Sequence, residues 1–231
     1  MIRMAADAGT TDLVATPHAN LKYRFEPEVI RSRLAEISSA SGNAVRLYSG
    51  CDFHLSFDNI QDAIANPRKY TINQDRYLLV EFSDLLIFKN TLDIFARLLE
   101  AGMIPVITHP ERNGLLRQRL TQIEAWIESG ARVQVTAQSI LGDFGRRAQE
   151  FSETLIERQM AHFVASDGHD IDHRPPTLDG AYAKLKKRYG ETTAETLCSA
   201  NPRAALAGEP IESSRKEEAS AGFRKWYQIW R

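Results

Sequence analysis

The sequence predicts an α/β fold with a parallel sheet, and two observations support this. Short runs rich in Val, Ile and Leu alternate with longer amphipathic segments along most of the 231 residues, which is typical of repeated βα units. The runs at 78–80 and 106–107 are continuously apolar, as expected for strands that are covered on both faces. A barrel or a doubly wound sheet follows.

The alternation divides the chain into defined elements. The predicted strands are residues 13–16, 45–50, 77–82, 105–108, 132–136 and 162–166. The predicted helices are residues 27–41, 59–65, 91–101, 121–129, 146–158, 177–188 and 193–200, the last ending at Asn201-Pro202. Pro27 suits a first helical turn, and glycines at 42, 102 and 130 suit the left-handed residue that ends a helix.

Residues 1–211 are predicted to form one domain, which the chain length allows. The segment 212–220 is charged and poor in apolar residues, so residues 212–231 are interpreted as a flexible C-terminal tail. Its end, residues 223–230, is unusually aromatic. We expect this end to pack on the domain or on a partner, local packing being the simpler explanation.

Composition excludes several classes of function. The formal net charge of −1 gives no electrostatic argument for nucleic acid as a partner. No run approaches the roughly 18 apolar residues of a membrane span, so no membrane insertion is expected. Cys51 and Cys198 lack metal-binding or disulfide spacing, which favours a reducing, cytoplasmic setting. Oligomerisation is left open.

Side chains able to bind a metal follow several of the predicted strands. In a barrel of parallel strands the βα loops converge at the C-terminal ends, so these side chains are expected on one rim. Imidazoles and carboxylates without thiolates suit Mn, Fe, Zn or Mg. The candidates are His18, Asp52, Glu81, His109, Asp167 and His169.

Taken singly, these candidates differ in strength. His18 alone is more often a hydrogen-bonded loop histidine, and Asp52 is equally well a turn residue or a helix cap. Glu81 follows three apolar residues, where burial is costly unless a cation pairs with it. His109 precedes a proline, which is expected to fix an extended backbone at a ligand.

The pair Asp167 and His169 places two ligand types two residues apart after a buried strand, which favours function. Arg112 and Arg174 each lie a few residues past a ligand-bearing strand, where a guanidinium can bind phosphate oxygens bidentately. A surface ion pair is the competing interpretation of either arginine. His162 begins a strand, at the wrong end for the rim.

The motifs together resemble a known family, the bacterial manganese-dependent protein-tyrosine phosphatases of the PHP (polymerase and histidinol phosphatase) superfamily. The similarity in order and spacing runs from about residue 1 to residue 211. It rests on Thr16-Pro17-His18, Gly50-Cys51-Asp52, Val80-Glu81-Phe82, Thr108-His109-Pro110-Glu111-Arg112, Ser166-Asp167-Gly168-His169 and Asn201-Pro202-Arg203.

The resemblance implies a distorted (β/α)7 TIM-like barrel that holds up to three divalent ions, most often Mn²⁺. It assigns the six candidates above as metal ligands, and Arg112 and Arg174 as catalytic residues that position phosphate. The implied substrate is phosphotyrosine on a bacterial tyrosine kinase that regulates capsular or exopolysaccharide synthesis. The implied mechanism is attack of a metal-bound hydroxide on phosphorus, with phenolate as a good leaving group.

The sequence departs from the family pattern in two places. Family members open with a strand ending in His-x-His, whereas this sequence begins inside the first helix, so the first strand is expected to be missing and the edge beside residues 13–16 unpaired. Asp52 stands where the family usually has Glu, which shortens the reach by one methylene.

Three functional readings therefore remain. The first is the metal-dependent tyrosine phosphatase, favoured by the His109-Pro110-Glu111-Arg112 step and the moderate length. The second keeps the site but assigns a small phosphate ester as substrate. The third is a truncated, catalytically inactive binding module, favoured by the lack of the His-x-His strand.

Overall fold

A computed structural model describes residues 1–211 of the chain. Residues 212–231, which include the predicted tail and its aromatic end, lie outside the described residues. The limits of the domain therefore remain a prediction.

The described chain forms eight short strands, all paired in parallel. A two-stranded sheet has the order β1-β3, and a six-stranded sheet has the order β2-β4-β5-β6-β7-β8. The strands are β1 Asp12–Ala15, β2 His18–Ala19, β3 Arg46–Ser49, β4 Asp52–His54, β5 Tyr77–Glu81, β6 Ile104–Thr108, β7 Arg132–Thr136 and β8 Phe163–Ala165.

The first two predicted strands each resume after a break, as β2 and β4. The backbone amide of Gly50 donates to Ala15 O and that of Asp52 donates to Pro17 O, so the two pieces pair through the break. His18 and Asp52 therefore follow the ends of β1 and β3, as predicted, and they also begin the short strands β2 and β4, which were not predicted. Pro17 has no N–H to give to a ladder, which accounts for the interruption.

Helices connect the strands, as predicted, with additions near the site and near the end. The α-helices are α1 Ile2–Asp7, α2 Pro27–Ala40, α3 Phe57–Ala65, α4 Thr91–Glu100, α5 Leu120–Glu128, α6 Ala137–Leu141, α7 Arg146–Glu157, α8 Asp179–Tyr189, α9 Glu191–Glu195 and α10 Asn201–Leu206. Short 3₁₀ turns occupy Ile72–Gln74 and Leu116–Gln118, and a π-helical turn occupies Thr196–Ala200.

The prediction that the last helix ends at Asn201-Pro202 is wrong. The chain continues from the π-helical turn into α10, with Pro202 in the first turn of α10. Pro202 has no N–H to donate to the preceding turn, and the π-helical turn lies directly before it, where the spacing of the helical hydrogen bonds changes.

Hydrophobic cores lie on both faces of the sheet, as the continuous apolar runs predict. Leu78 and Val80 pack in the large core with the surrounding helices. Tyr77 and Leu79 alternate with them and pack in a smaller cluster that also holds Val106, among others. Trp126 belongs to the large core and is 1% exposed.

Among the described residues, β1 and β3 are the edges of the two-stranded sheet, and β2 and β8 are the edges of the six-stranded sheet. A groove of about 2020 Å³ is lined by residues of β1 and β8, and His18, His109 and Asp167 also contribute to its lining. The groove therefore reaches the rim that carries the predicted ligands. No helix in residues 1–211 has the length and apolar character needed to cross a membrane.

Candidate functional site

The six predicted ligands come together at the C-terminal rim of the sheet. Glu81 is the last residue of β5, His109 directly follows β6, and Asp167 lies two residues past β8. His18 and Asp52 are paired in register at the start of β2 and β4. Because parallel strands end at the same edge, residues distant in sequence converge there.

The centre of the rim is a cluster of His18, Asp52 and Glu81. The Nδ1 atom of His18 lies 3.1 Å from Asp52 Oδ2 and 3.3 Å from Glu81 Oε2. The potential ligand atoms of all three residues lie within 4.8 Å of one another. Among the described residues, this is the one group of three or more His, Cys, Asp or Glu side chains that meets that criterion.

The electrostatics of the cluster favour a cation. The carboxylate of Asp52, with that of Glu81, raises the pKa of His18 to about 10. Burial is the largest single influence on Glu81 and raises its pKa, yet the close contact with His18 and the charges of His109, His18 and His54 together outweigh it and lower the pKa of that carboxyl. The site thus draws a positive charge toward its two acids.

The donor set also fits a divalent ion. The Oδ1 atom of Asp52 is buried without a hydrogen-bond partner among the described residues, and the contacts of His18 Nδ1 with Asp52 and Glu81 are ion pairs without hydrogen-bond geometry. Unpaired buried polar atoms are costly, and coordination is one way to satisfy them. Two carboxylates and an imidazole suit Mn, Fe, Zn or Mg more than soft metals.

His109 extends the cluster. Its Nε2 atom lies 4.0 Å from Glu81 Oε1, and its backbone amide donates to Gln134 O at 2.9 Å. The predicted extended backbone is wrong, because the φ of His109 is 35°. The chain reverses at this point, in a turn that is closed by the backbone amide of Arg112 donating to His109 O. Because a residue before proline is disfavoured in the right-handed helical region, His109 makes this turn with a left-handed backbone.

Asp167 joins the metal-ligand candidates to the two arginines. Its Oδ2 atom forms ion pairs with both Arg112 and Arg174. Its φ is 48°, a left-handed backbone that is unusual for a residue other than glycine. The strained backbones of Asp167 and His109 both flank the cluster, and such strain concentrates at functional sites.

His169 lies beside both groups but is more exposed. Its ring centroid is 6.3 Å from that of His18, and its Nδ1 atom is 3.8 Å from Asp167 Oδ1. The turn at Gly168 is tightly packed, since a Cβ there would lie 2.8 Å from Pro176 Cα. Only glycine fits between the two candidate ligands.

Asp170 organises the loop that follows. Its Oδ1 atom accepts from the backbone amides of Asp172, His173 and Arg174. The amide of Arg174 first, then those of His173 and Asp172, lowers the pKa of Asp170 to about 2. The loop thereby returns Arg174 to the rim.

Of the three histidines outside the predicted ligand set, two lie away from the site. His162 is 2% exposed at the start of β8, away from the rim, as the sequence indicated. His173 has a side chain that is 90% exposed.

Three supporting residues were missed by the sequence reasoning. Glu111 is fully buried, and its Oε1 atom accepts from Thr136 N at 2.9 Å and from Ser139 Oγ at 2.7 Å. Gln138 donates to Pro175 O at 3.0 Å. Phe144 lies under the guanidiniums of both Arg112 and Arg174. Its position between Gly142 and Gly145, in the connection that follows β7, is the feature of the sequence that could have indicated a residue near the rim.

Comparisons with known proteins give a matching family model and named relatives. A family model described as "Capsular polysaccharide synthesis, CpsB/CapC" matches residues 1–207. The relative CapC of Staphylococcus aureus is 37% identical over 197 residues, covering 83% of this chain and 77% of the relative. The tyrosine-protein phosphatase YwqE of Bacillus subtilis is 30% identical over 202 residues, covering 82% of this chain and 76% of the relative.

A solved structure supports the same assignment. It is described as one of YwqE from Bacillus subtilis and CpsB from Streptococcus pneumoniae, "unique metal-dependent tyrosine phosphatases". It superposes with a TM-score of 0.84 at 29% identity, covering 92% of this chain and 87% of that chain. The chain belongs to the CpsB/CapC family of capsular polysaccharide synthesis proteins.

Proposed function

We propose that this protein is a metal-dependent protein-tyrosine phosphatase that acts on a tyrosine kinase of capsular or exopolysaccharide synthesis. The observation that carries the proposal is the position of the His18–Asp52–Glu81 cluster beside two arginines that share one carboxylate. The relatives named as tyrosine phosphatases support the assignment of the substrate class.

The metal is proposed to be Mn²⁺, held by His18, Asp52 and Glu81 and, around them, by His109, Asp167 and His169. When bound, a divalent ion supplies Lewis-acid charge and lowers the pKa of a water ligand. The carboxylates of Asp52 and Glu81 hold the imidazole of His18 at 3.1 and 3.3 Å, which keeps the donor atoms gathered on the rim.

Arg112 and Arg174 are proposed to bind the phosphate. Both guanidiniums converge on one oxygen of Asp167, so two positive charges face a single negative charge. The excess positive charge and the remaining N–H donors suit the equatorial oxygens of a phosphoryl group, whose charge grows during transfer.

Phosphotyrosine requires no strong proton donor at this site. A phenol has a pKa of about 10, so a phenolate leaves much more readily than an alkoxide. The chain's own contribution is then the binding and orientation of the phosphate by its arginines, without a dedicated general acid.

The fold is proposed to be a distorted barrel of the PHP type. A groove lined by residues of both β1 and β8, each an edge strand of its sheet, supports this, because a further strand that joined those edges would close the barrel. A cytoplasmic location is also proposed, in keeping with two cysteines that are both free.

The test is Mn²⁺-dependent release of phosphate from a phosphotyrosine peptide by the 231-residue chain. His109→Ala is expected to lower kcat/KM by at least about 10- to 100-fold, because the loss of even a hydrogen-bond partner of a metal ligand costs that much. His173→Ala is the matched control, since its side chain is 90% exposed.

Chelation followed by Mn²⁺, Mg²⁺ or Zn²⁺ identifies the metal that restores activity. Equal hydrolysis of alkyl and aryl phosphates would replace the tyrosine assignment with a small phosphate ester. A folded chain that binds Mn²⁺ but releases no phosphate would refute the phosphatase proposal.

A further inference from the structure

The most informative residue outside the predicted set is Phe144, which contacts both arginines of the site. The Cζ atom of Arg112 lies 4.4 Å from the centre of the Phe144 ring, and that of Arg174 lies 5.8 Å from it. One aromatic ring is thus shared by the two guanidiniums that also share Asp167.

The ring is placed by a tight turn after α6. The left-handed Gly142 (φ 104°) ends α6, and Gly145 (φ 84°) precedes α7. Gly145 N donates to Gly142 O at 2.9 Å, and Asp143 N donates to Gln138 O at 2.9 Å. The turn therefore holds the Phe144 backbone from both sides.

The same short helix, α6, is tied to the loops that carry both arginines. On one side, Ser139 donates to the buried carboxylate of Glu111, which directly precedes Arg112. On the other, Gln138 donates at 3.0 Å to the carbonyl of Pro175, which directly follows Arg174. The loops and the ring thus share one support.

The charges of the two arginines explain why an aromatic ring stabilises this arrangement. The two guanidiniums repel each other, and one carboxylate neutralises only half of their charge. The negative face of an aromatic ring attracts a guanidinium and offers a flat surface on which it can lie. A ring under both groups holds them close together without neutralising the charge that an anion needs.

We propose that Phe144 is a positioning residue that holds Arg112 and Arg174 in the spacing required to bind a phosphoryl group. This inference rests on the proposed phosphatase function and assigns to that site a residue that does not itself touch the substrate. It predicts that the aromatic face of Phe144, and not merely its volume, is required.

The first test compares Phe144→Leu and Phe144→Tyr with the wild type, all loaded with Mn²⁺. For Phe144→Leu, the KM for a phosphotyrosine peptide and the inhibition constant of inorganic phosphate are expected to rise about tenfold, as two cation–π contacts allow. Phe144→Tyr should stay within about twofold of the wild type, because it keeps the ring.

Tyr189→Leu is the matched control. It removes another cation–π contact, in which Arg188 Cζ lies 5.2 Å from the Tyr189 ring on α8. It should leave both constants unchanged. Wild-type values for Phe144→Leu, or an equal loss in Phe144→Tyr, would overturn the proposal.

A second measurement does not depend on catalysis. In ¹H–¹⁵N spectra of the arginine side chains, the ring current of Phe144 should displace the Arg112 resonances, and Phe144→Leu should abolish that displacement. Unchanged arginine resonances in Phe144→Leu would refute the contact. If the displacement is present and no phosphoester is hydrolysed by the wild type, the proposed function fails while the positioning contact stands.

Discussion

His162 is expected to make the protein lose stability in mild acid. Its side chain is buried at the start of β8, where Nδ1 accepts from Val133 N at 3.2 Å. Nε2 has no hydrogen-bond partner within residues 1–211. Burial, with the nearby charge of Arg132, lowers the pKa of His162 from 6.5 to about 3.

The direction of the effect follows from that pKa. The folded protein binds the proton of His162 less readily than the unfolded chain does, so the stabilising contribution is complete above pH 6.5. It is lost as the pH falls from 6.5 toward 3, by about 1.4 kcal/mol per pH unit. At about pH 5 the free energy of unfolding is lower by about 2 kcal/mol. This value hardly depends on the pKa in the folded state, because a histidine with a folded pKa below about 4 is almost unprotonated at about pH 5.

The assay is urea unfolding in chelator at about pH 7.5 and about pH 5. His162→Asn cannot gain a proton there, so its free energy of unfolding should fall by about 2 kcal/mol less than that of the wild type between the two pH values. His173→Asn removes an exposed histidine and should retain the wild-type pH dependence. Equal losses in the wild type and His162→Asn would refute the reasoning.

Three further substitutions test the support of the site and the core. Glu111→Ala should lower the free energy of unfolding by about 2 to 4 kcal/mol and reduce kcat/KM, because Ser139 Oγ and the Thr136 amide lose their buried acceptor. Urea unfolding measures the stability and steady-state kinetics measure kcat/KM; wild-type values of both quantities would contradict the prediction. Gly168→Ala should cost about 1 to 3 kcal/mol and weaken Mn²⁺ binding measured by calorimetry, because its Cβ would lie 2.8 Å from Pro176 Cα; unchanged binding would count against it. Trp126→Ala should cost about 3 to 5 kcal/mol in urea unfolding, since the ring is 1% exposed; a loss below 1 kcal/mol would show that the core repacks.

Much of the fold could be predicted from the sequence, because apolar periodicity reports burial directly. The strand 132–136 was predicted with its observed bounds, and the runs that include Leu78 and Ile107 lie between two hydrophobic layers, as predicted. Local breaks were harder to predict. The interruptions at Pro17 and Gly50 divide each of the first two strands, and the chain continues past Asn201 into α10.

The sequence also determined which side chains gather on the rim, because parallel strands bring their C-terminal ends to one edge whatever the length of the intervening helices. It did not determine their pairing. Only the tertiary structure decides that His18, Asp52 and Glu81 share one ligand-sized space while Asp167 faces two arginines. The left-handed backbone of His109, the buried contacts of Glu111 and the place of Phe144 depend likewise on distances between segments far apart in the chain, about which one-dimensional periodicity carries no information.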